Sequence, residues 1–168
     1  QSFLITGSAR LDGYRRGGDS LHGRYHPYRL HPLSLPEVGG HADEIEGLLR
    51  FGGFPEPFLR GTDRFWRRWQ RERLDRIVHD DVRDLERLRE ISLMELLVDA
   101  LPSRVGSPLS VKNLREDLEV AHDTAERWLG ILENLYVCFR VSPLGAPRIR
   151  AVKKERKLYL WDWSAVTD

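Results

Sequence analysis

Residues 110–135 decide the fold, and they read SVKNLREDLEVAHDTAERWLGILENL. Ser110 offers a hydroxyl that can cap a first helix, and a short turn at residues 119–121 separates that helix from a second one. In both segments the apolar residues recur at steps of three and four, which predicts helices with one buried face. These residues are Val111, Leu114 and Leu118 in the first helix and Ala125, Trp128, Leu129, Leu132 and Leu135 in the second.

The flanking segments extend this pair into a larger pattern. Residues 93–101 predict a preceding helix that Pro102 closes, and strand-like runs follow at residues 136–141, 148–152 and 157–161. Three helices followed by a small β-hairpin is the order of a winged helix-turn-helix. We therefore predict a winged helix over residues 90–156.

The first 38 residues are typical of an α/β unit. Residues 2–6 form a short apolar run that stops at a glycine, as a strand buried on both faces would. A short polar helix is predicted from about Asp12 to Leu21. The run from Tyr25 to Leu35 is interrupted by prolines and is predicted to be extended.

Residues 39–89 are predicted to form a helical connector. A helix is expected over Ala42–Leu49, and the run Phe51–Phe58, with its two glycines and two prolines, is expected to be irregular. Thr62 can cap one long helix, or two helices with a kink, that runs to about Arg89. The numbers of arginines and acidic residues are nearly equal over that length. We interpret this pattern as a solvated helix face with i,i+4 ion pairs.

The composition limits the classes of function. Of the 168 residues, 40% are hydrophobic and 32% are charged, as in globular proteins. No stretch approaches the roughly 20 apolar residues of a membrane helix, so we expect a cytoplasmic protein with no membrane partner. The single cysteine, Cys138, excludes an internal disulfide and is expected to be a packed, unreactive thiol. The net charge of +1 restricts any nucleic-acid contact to a local patch.

Four motifs near the amino terminus resemble a large group of predicted prokaryotic AAA+ superfamily ATPases. They are SFLITGS at residues 2–8, SLHGR at 20–24, LHPLSLPE at 30–37 and GGFPE at 52–56. In that group the ATPase core precedes a domain with a winged helix and a fold similar to PD-(D/E)XK nucleases. The runs at residues 107–114, 124–135 and 157–162 resemble the winged-helix part and the start of the nuclease-like part.

The resemblance implies a helix-rich α+β chain. Residues 1–38 would be the carboxy-terminal part of a P-loop α/β core, 39–89 a lid or connector, 90–156 the winged helix and 157–168 the start of the nuclease-like domain. No glycine here is followed by lysine, so the chain has no P-loop of its own. The Walker motifs would precede Gln1, so we expect a fragment that is inactive alone, with a loop missing between residues 36 and 43.

The same resemblance assigns catalytic roles to three residues. Thr6 and Ser8 would lie at the sensor-1 strand end, and Arg24 at the position of an arginine finger that acts on a neighbouring subunit. ATP with magnesium would then be the cofactor, and the protein a homo-oligomer. From the residues alone, Thr6 and Ser8 can equally be ordinary strand-end hydroxyls, and Arg24 a cation that complements a helix dipole.

The predicted hairpin carries the residues best suited to nucleic acid. Its basic side chains can follow a phosphate backbone without sequence preference, or can simply be a solvated edge. The preceding helix is acidic and would repel phosphate, which instead favours a protein partner. The basic set is Arg148, Arg150, Lys153, Lys154, Arg156 and Lys157, and the polar residues of the helix are His122, Asp123, Glu126, Arg127 and Glu133.

No metal site is predicted from the histidines. His22, His26 and His31 lie close in sequence, but the last two fall in the proline-interrupted run and no cysteine is near them. We expect ordinary packed or exposed side chains at these positions.

Overall fold

A computed structural model describes residues 28–78, 91–144 and 154–166, together with Leu4, Thr6 and His26. Short 3-10 turns lie at Pro102–Arg104 and Trp163–Val166. The helices are α1 (Leu35–Val38), α2 (Ala42–Phe51), α3 (Pro55–Arg60), α4 (Asp63–Arg76), α5 (Ile91–Ala100), α6 (Val111–Asp117) and α7 (His122–Asn134), and the strands are β1 (Cys138–Val141) and β2 (Lys157–Leu160).

The predicted helix-rich α+β class is confirmed. β1 and β2 pair antiparallel, with Cys138 opposite Leu160 and Val141 opposite Lys157. β2 therefore belongs to the same small sheet as β1, although the predicted domain boundary separated them at residue 157. The third predicted strand, at residues 148–152, lies outside the described residues.

The segment between α5 and α6 lies along the other edge of β2. The amide of Gly106 donates to the carbonyl of Leu158 at 2.9 Å, and the amide of Leu158 donates to the carbonyl of Ser107 at 3.2 Å. The amide of Leu109 donates to the carbonyl of Arg156 at 2.9 Å. These bonds satisfy backbone groups of β2 on the side that β1 does not cover.

The hydrophobic core lies between α5, α6, α7 and the two strands, and Ile77 and Val78, which directly follow α4, belong to it as well. The predicted stripe of α7 is confirmed, since Ala125, Trp128, Leu129 and Leu132 are 0% exposed. α5 contributes Leu97 and α6 contributes Leu114 to the same cluster, and β2 contributes Leu158. The cap of α6 is also confirmed, because the amide of Asn113 donates to the Ser110 hydroxyl at 3.4 Å.

The expectation of an irregular run at Phe51–Phe58 is wrong, because α3 begins at Pro55. Proline lacks an amide hydrogen, and the first turn of a helix leaves its amides without intrahelical partners, so Pro55 and Pro57 are tolerated there. Gly61 ends the helix with φ 57°, in the left-handed region that glycine adopts readily.

The connector otherwise follows the prediction only in part. α2 covers the expected Ala42–Leu49 and continues for two residues to Phe51. α4 begins after Thr62, which occupies the N-cap position without a hydrogen bond from its hydroxyl. After Arg76 the chain widens into a π-helical turn at Ile77 and Val78. The predicted continuation to Arg89 lies outside the described residues.

The amino-terminal α/β unit is largely beyond the described part of the chain. Leu4 is 89% exposed and lies outside regular secondary structure, against the expected strand buried on both faces. A buried strand needs neighbouring strands, and no described strand pairs with this segment. The extended run also ends earlier than predicted. The Glu37 carboxylate accepts from the Ser34 amide at 2.8 Å and lies 2.6 Å from the Ser34 hydroxyl, which starts α1 at Leu35.

Within the described residues, no helix has both the length and the apolar character needed to cross a bilayer.

Candidate functional site

A buried polar cluster joins the segment that follows β2 to helices α2 and α4. Asp162 is 3% exposed, Ser164 is 0% exposed, and Gln70 of α4 is 9% exposed. The Gln70 side-chain amide donates to Asp162 Oδ2 at 2.7 Å and to Ser164 Oγ at 3.0 Å. The Ser164 hydroxyl donates to Asp162 Oδ1 at 2.7 Å. Each of these polar groups therefore has a partner, as burial requires.

Two further side chains of α4 reach the same cluster. The indole of Trp66 donates to Ser164 Oγ at 3.0 Å. A guanidinium nitrogen of Arg73 lies 4.0 Å from Asp162 Oδ2, and this pair is nearly buried. Burial lowers the pKa of Arg73, and the Asp162 carboxylate opposes that shift. The Arg73 guanidinium also lies over the ring of Phe54, 4.6 Å from its centroid, so its charge has an aromatic contact as well.

α2 approaches the cluster closely because residue 52 is glycine. A Cβ at Gly52 would lie 2.5 Å from Asp162 Oδ1 and 2.9 Å from Ser164 Oγ, so any side chain would displace the cluster. Gly52 has φ 77°, which also favours glycine. One turn earlier, the carbonyl of Leu48 accepts from the Trp163 indole at 2.7 Å. The 162–164 segment therefore contacts both α2 and α4.

The hydrogen bonding of the cluster defines what it can do chemically. The Ser164 oxygen receives N–H groups from Trp66 and Gln70, and its hydrogen points to Asp162. Its lone pairs are therefore occupied, whereas a nucleophilic serine needs an adjacent base and open access to substrate. We conclude that the cluster joins the connector to the rest of the chain.

The acidic surface of α7 is neutralised by an arginine of β1. Arg140 donates to Glu133 through two nitrogens, both at 2.9 Å, and to Glu126 at 2.8 Å. Its side chain is only 5% exposed, and the two carboxylates raise its pKa although burial opposes them. Arg156 lies a further 3.9 Å from Glu126. Helix α7 is therefore less negative than its sequence indicates.

The predicted basic wing is described only at its second strand. Lys154 and Lys157 are exposed, and Arg156 is half-buried beside Glu126. Arg148, Arg150 and Lys153 lie outside the described residues. The structure thus leaves two of the predicted phosphate-binding side chains accessible and directs a third toward α7.

Of the predicted ATPase residues, the described part of the chain includes only Thr6. Thr6 is exposed, and Ser8 and Arg24 lie outside the described residues. The ring of His31 packs on Trp161 with centroids 5.1 Å apart, which makes it a packing residue. Among the described residues, no three His, Cys, Asp or Glu side chains form a group able to hold a metal ion.

The cysteine has the predicted environment. Cys138 is 0% exposed at the start of β1. Burial raises the pKa of its thiol to about 12, with a contribution from the nearby Glu133. Since the thiolate is the nucleophilic form, this side chain is unreactive at neutral pH.

Sequence reasoning missed both Asp162 and Arg140. Asp162 carries a signal in retrospect, because it lies between two tryptophans at residues 161 and 163 and a polar residue there needs a buried partner. Its partner Gln70, however, is 92 residues away in sequence. Arg140 sits in an apolar strand run, which is the corresponding signal for a buried cation.

The geometry can now be compared with known proteins. Residues 42–167 match the model of the family described as Domain of unknown function (DUF8612). The chain belongs to this family. The DUF8612 match begins with α2 and extends past Ser164, so it contains the whole polar cluster. Thr6, Ser8 and Arg24 precede it.

Two mycobacterial proteins are similar over most of the chain. The "Uncharacterized protein Rv2008c" of Mycobacterium tuberculosis and the "Uncharacterized protein Mb2031c" of Mycobacterium bovis are each 27% identical over 160 residues. The alignment covers 95% of this chain and 36% of each relative, so the chain spans about a third of their length. No solved structure gives a significant match.

Proposed function

We propose that this chain is part of an ATP-binding protein of the AAA+ type, in which α2–α4 and the α5–β2 unit move as one body. The observation that carries this proposal is the buried cluster around Asp162. A junction with hydrogen bonds in a low-dielectric interior resists opening, because each bond broken leaves a buried polar group without a partner. Such a junction suits a module that transmits a movement from a neighbouring ATPase core.

The proposal treats α5, α6, α7 and the two strands as a winged helix. Its support is the order of these elements together with the central place of β2, which bonds to β1 on one side and to residues 105–109 on the other. This pairing joins residues 105–109, which follow α5, to the predicted hairpin. The nuclease-like domain proposed to follow would then begin close to the Asp162 cluster.

In this proposal the amino-terminal segment supplies the residues that act on nucleotide. Thr6 and Ser8 orient the water that attacks the γ-phosphate of magnesium-bound ATP, and Arg24 stabilises the charge on a phosphate held by a neighbouring copy. Catalysis of phosphoryl transfer rests mainly on such positioning and charge stabilisation. The resemblance of the four amino-terminal motifs supports these roles, and a homo-oligomer is the partner that they imply.

The test uses the longer protein that the proposal implies. Arg24→Ala should reduce ATP turnover by a factor of roughly 1,000 or more and leave ATP binding nearly unchanged, because an arginine finger acts in the transition state. Arg15→Ala removes the same charge from the same segment and serves as the control. Normal turnover by Arg24→Ala, or an equal loss in the control, would contradict the proposal.

A second candidate function is duplex DNA binding through the hairpin. The observation that favours it is the neutralisation of Glu126 and Glu133 by Arg140, which removes much of the repulsion that α7 would exert on phosphate. Lys157, at the start of β2, and Lys154, three residues before it, remain exposed. Lys154→Gln with Lys157→Gln should lower the slope of log affinity against log salt by roughly 2. An unchanged slope would exclude the hairpin as the contact.

A further inference from the structure

Helix α4 presents three arginines along one exposed line. Arg64, Arg67 and Arg71 are spaced by three and four residues, so they lie on the same side of the helix, and all three are exposed. The opposite side carries the buried Trp69 and Gln70. The line spans about 10 Å of helix axis at 1.5 Å per residue. We name these three residues the arginine line.

The arginine line has no ion-pair partner within the described part of the chain. The Asp63 carboxylate, at the start of the helix, is occupied by Arg50 with contacts of 2.9 and 2.6 Å. Arg50 lowers the pKa of that carboxyl, with a smaller contribution from Arg67. Glu72 lies 3.6 Å from Arg68. α4 carries six arginines and three acidic residues, so this helix is basic. The sequence predicts a near balance of positive and negative charge only over the longer run to Arg89.

The stability of the helix does not explain this arrangement. Arg64 lies in the first turn, where the helix dipole disfavours positive charge. Three neighbouring cations also repel one another, which weakens the helix. An exposed set of charges that weakens its own helix is more simply explained by an anionic partner.

The geometry points to a duplex DNA backbone as the partner of the arginine line. Guanidinium groups bind phosphate oxygens through two parallel hydrogen bonds, and a duplex carries about six phosphate charges over 10 Å of its axis. A protein partner would need an apolar centre, whereas the arginine line contains only charged side chains. Phe65, next to Arg64 in sequence, lies under the guanidinium groups of Arg60 and Arg68, which are 5.6 and 5.1 Å from its ring centroid.

The platform of the arginine line is rigid. On the buried side of α4, Gln70 and Arg73 contact Asp162, and Trp69 packs on Phe54 with centroids 4.9 Å apart. A helix held on one side by buried contacts presents its other side with little loss of backbone entropy on binding. The arginine line shares no residue with the predicted hairpin, so the two contacts can be tested with separate variants.

The experiment measures binding of the chain to a labelled DNA duplex of about two helical turns by fluorescence anisotropy at several salt concentrations. The variant replaces Arg64, Arg67 and Arg71 with glutamine. We expect its salt slope to fall by about 2.7 and its affinity to fall by roughly tenfold or more at low salt. The matched control replaces the same three residues with lysine, which keeps the charge and should keep the slope.

Four outcomes overturn the proposal. They are the absence of duplex binding by the unaltered chain, an unchanged slope in the glutamine variant, an equal loss in the lysine variant, and stronger binding to phosphatidylserine vesicles than to DNA. We expect both variants to fold, because the three replaced side chains are exposed. Thermal unfolding followed by circular dichroism checks this. The hairpin variant Lys154→Gln with Lys157→Gln separates the two sites, since removal of these two charges leaves the contribution of α4 to the salt slope in place.

Discussion

The unit of α5, α6, α7 and the two strands is held together differently from the connector of α2, α3 and α4. In the first, apolar side chains from every element meet in one core, and Leu97, Leu129 and Leu158 are completely buried. In the second, the contacts with the remainder of the chain include hydrogen bonds to Asp162, Ser164 and Trp163. Apolar packing tolerates small shifts, whereas hydrogen bonds require one geometry. The connector is therefore joined in a defined orientation.

The largest expected effect is in the apolar unit. Trp128→Ala should lower the free energy of unfolding by about 4 kcal/mol, because it removes a completely buried ring and leaves a cavity. Trp128→Phe should cost clearly less, since the Trp128 indole nitrogen is buried without a hydrogen-bond partner among the described residues. Urea unfolding of both variants checks this. Equal losses would mean that the ring volume does not set the stability of this core.

The next effect tests the polar junction. Asp162→Ala should lower the free energy of unfolding by about 3 kcal/mol, because it leaves Gln70, Ser164 and Arg73 buried without their acceptor. Asp99→Ala, at an exposed carboxylate of α5, is the control and should change stability by less than about 0.5 kcal/mol. A loss at Asp162 no greater than that at Asp99 would show that the junction is not held by the cluster.

A smaller effect is expected at the surface of α7. Arg140→Ala should cost about 1 to 2 kcal/mol, because Glu126 and Glu133 are partly exposed and water replaces part of the lost interaction. The cost should decrease as salt concentration rises, since screening weakens partly exposed pairs. Thermal unfolding at low and high salt measures both. A cost independent of salt would assign the role of Arg140 to packing.

The effect that is smallest at neutral pH is a pH dependence from Cys138, because it appears only above about pH 9. Burial raises the pKa of this thiol to about 12 in the folded chain, above the usual value near 9. Above that lower value the unfolded state releases the proton while the folded state retains it, so stability falls as pH rises toward 12. The stability of the Cys138→Ala variant should fall less steeply than that of the unaltered chain as pH rises from about 9 to 12. Identical slopes from pH 9 upward in the two proteins would contradict the buried neutral thiol.

The two regions also differ in how far the sequence predicts them. The apolar unit follows from local periodicity, since the stripe from Ala125 to Leu135 and the cap at Ser110 lie where the pattern places them. In the connector, α3 begins at Pro55 although prolines and glycines favoured an irregular run. The error came from judging prolines by composition, whereas their position in the first turn decides their effect.

The candidate sites show the same division. The exposed positions of charged side chains such as Lys154 and Lys157 are predictable from the local sequence. The cluster at Asp162 is not, since its partners lie on helices far away in the chain and no local pattern encodes a contact between them. The partial neutralisation of α7 is not predictable for the same reason, because Arg140 belongs to a strand and not to the helix that it neutralises.

The most direct test of the account is the distance between the two regions. Nitroxide labels at Glu46→Cys on α2 and Asp123→Cys on α7, both exposed positions, report it by pulsed electron resonance in a Cys138→Ala background. With the polar cluster intact, the account predicts one narrow distance distribution, and with Asp162→Ala added, a clearly broader one. A broad distribution before Asp162 is changed, or a narrow one that the change leaves as it was, would contradict a connector fixed by this cluster.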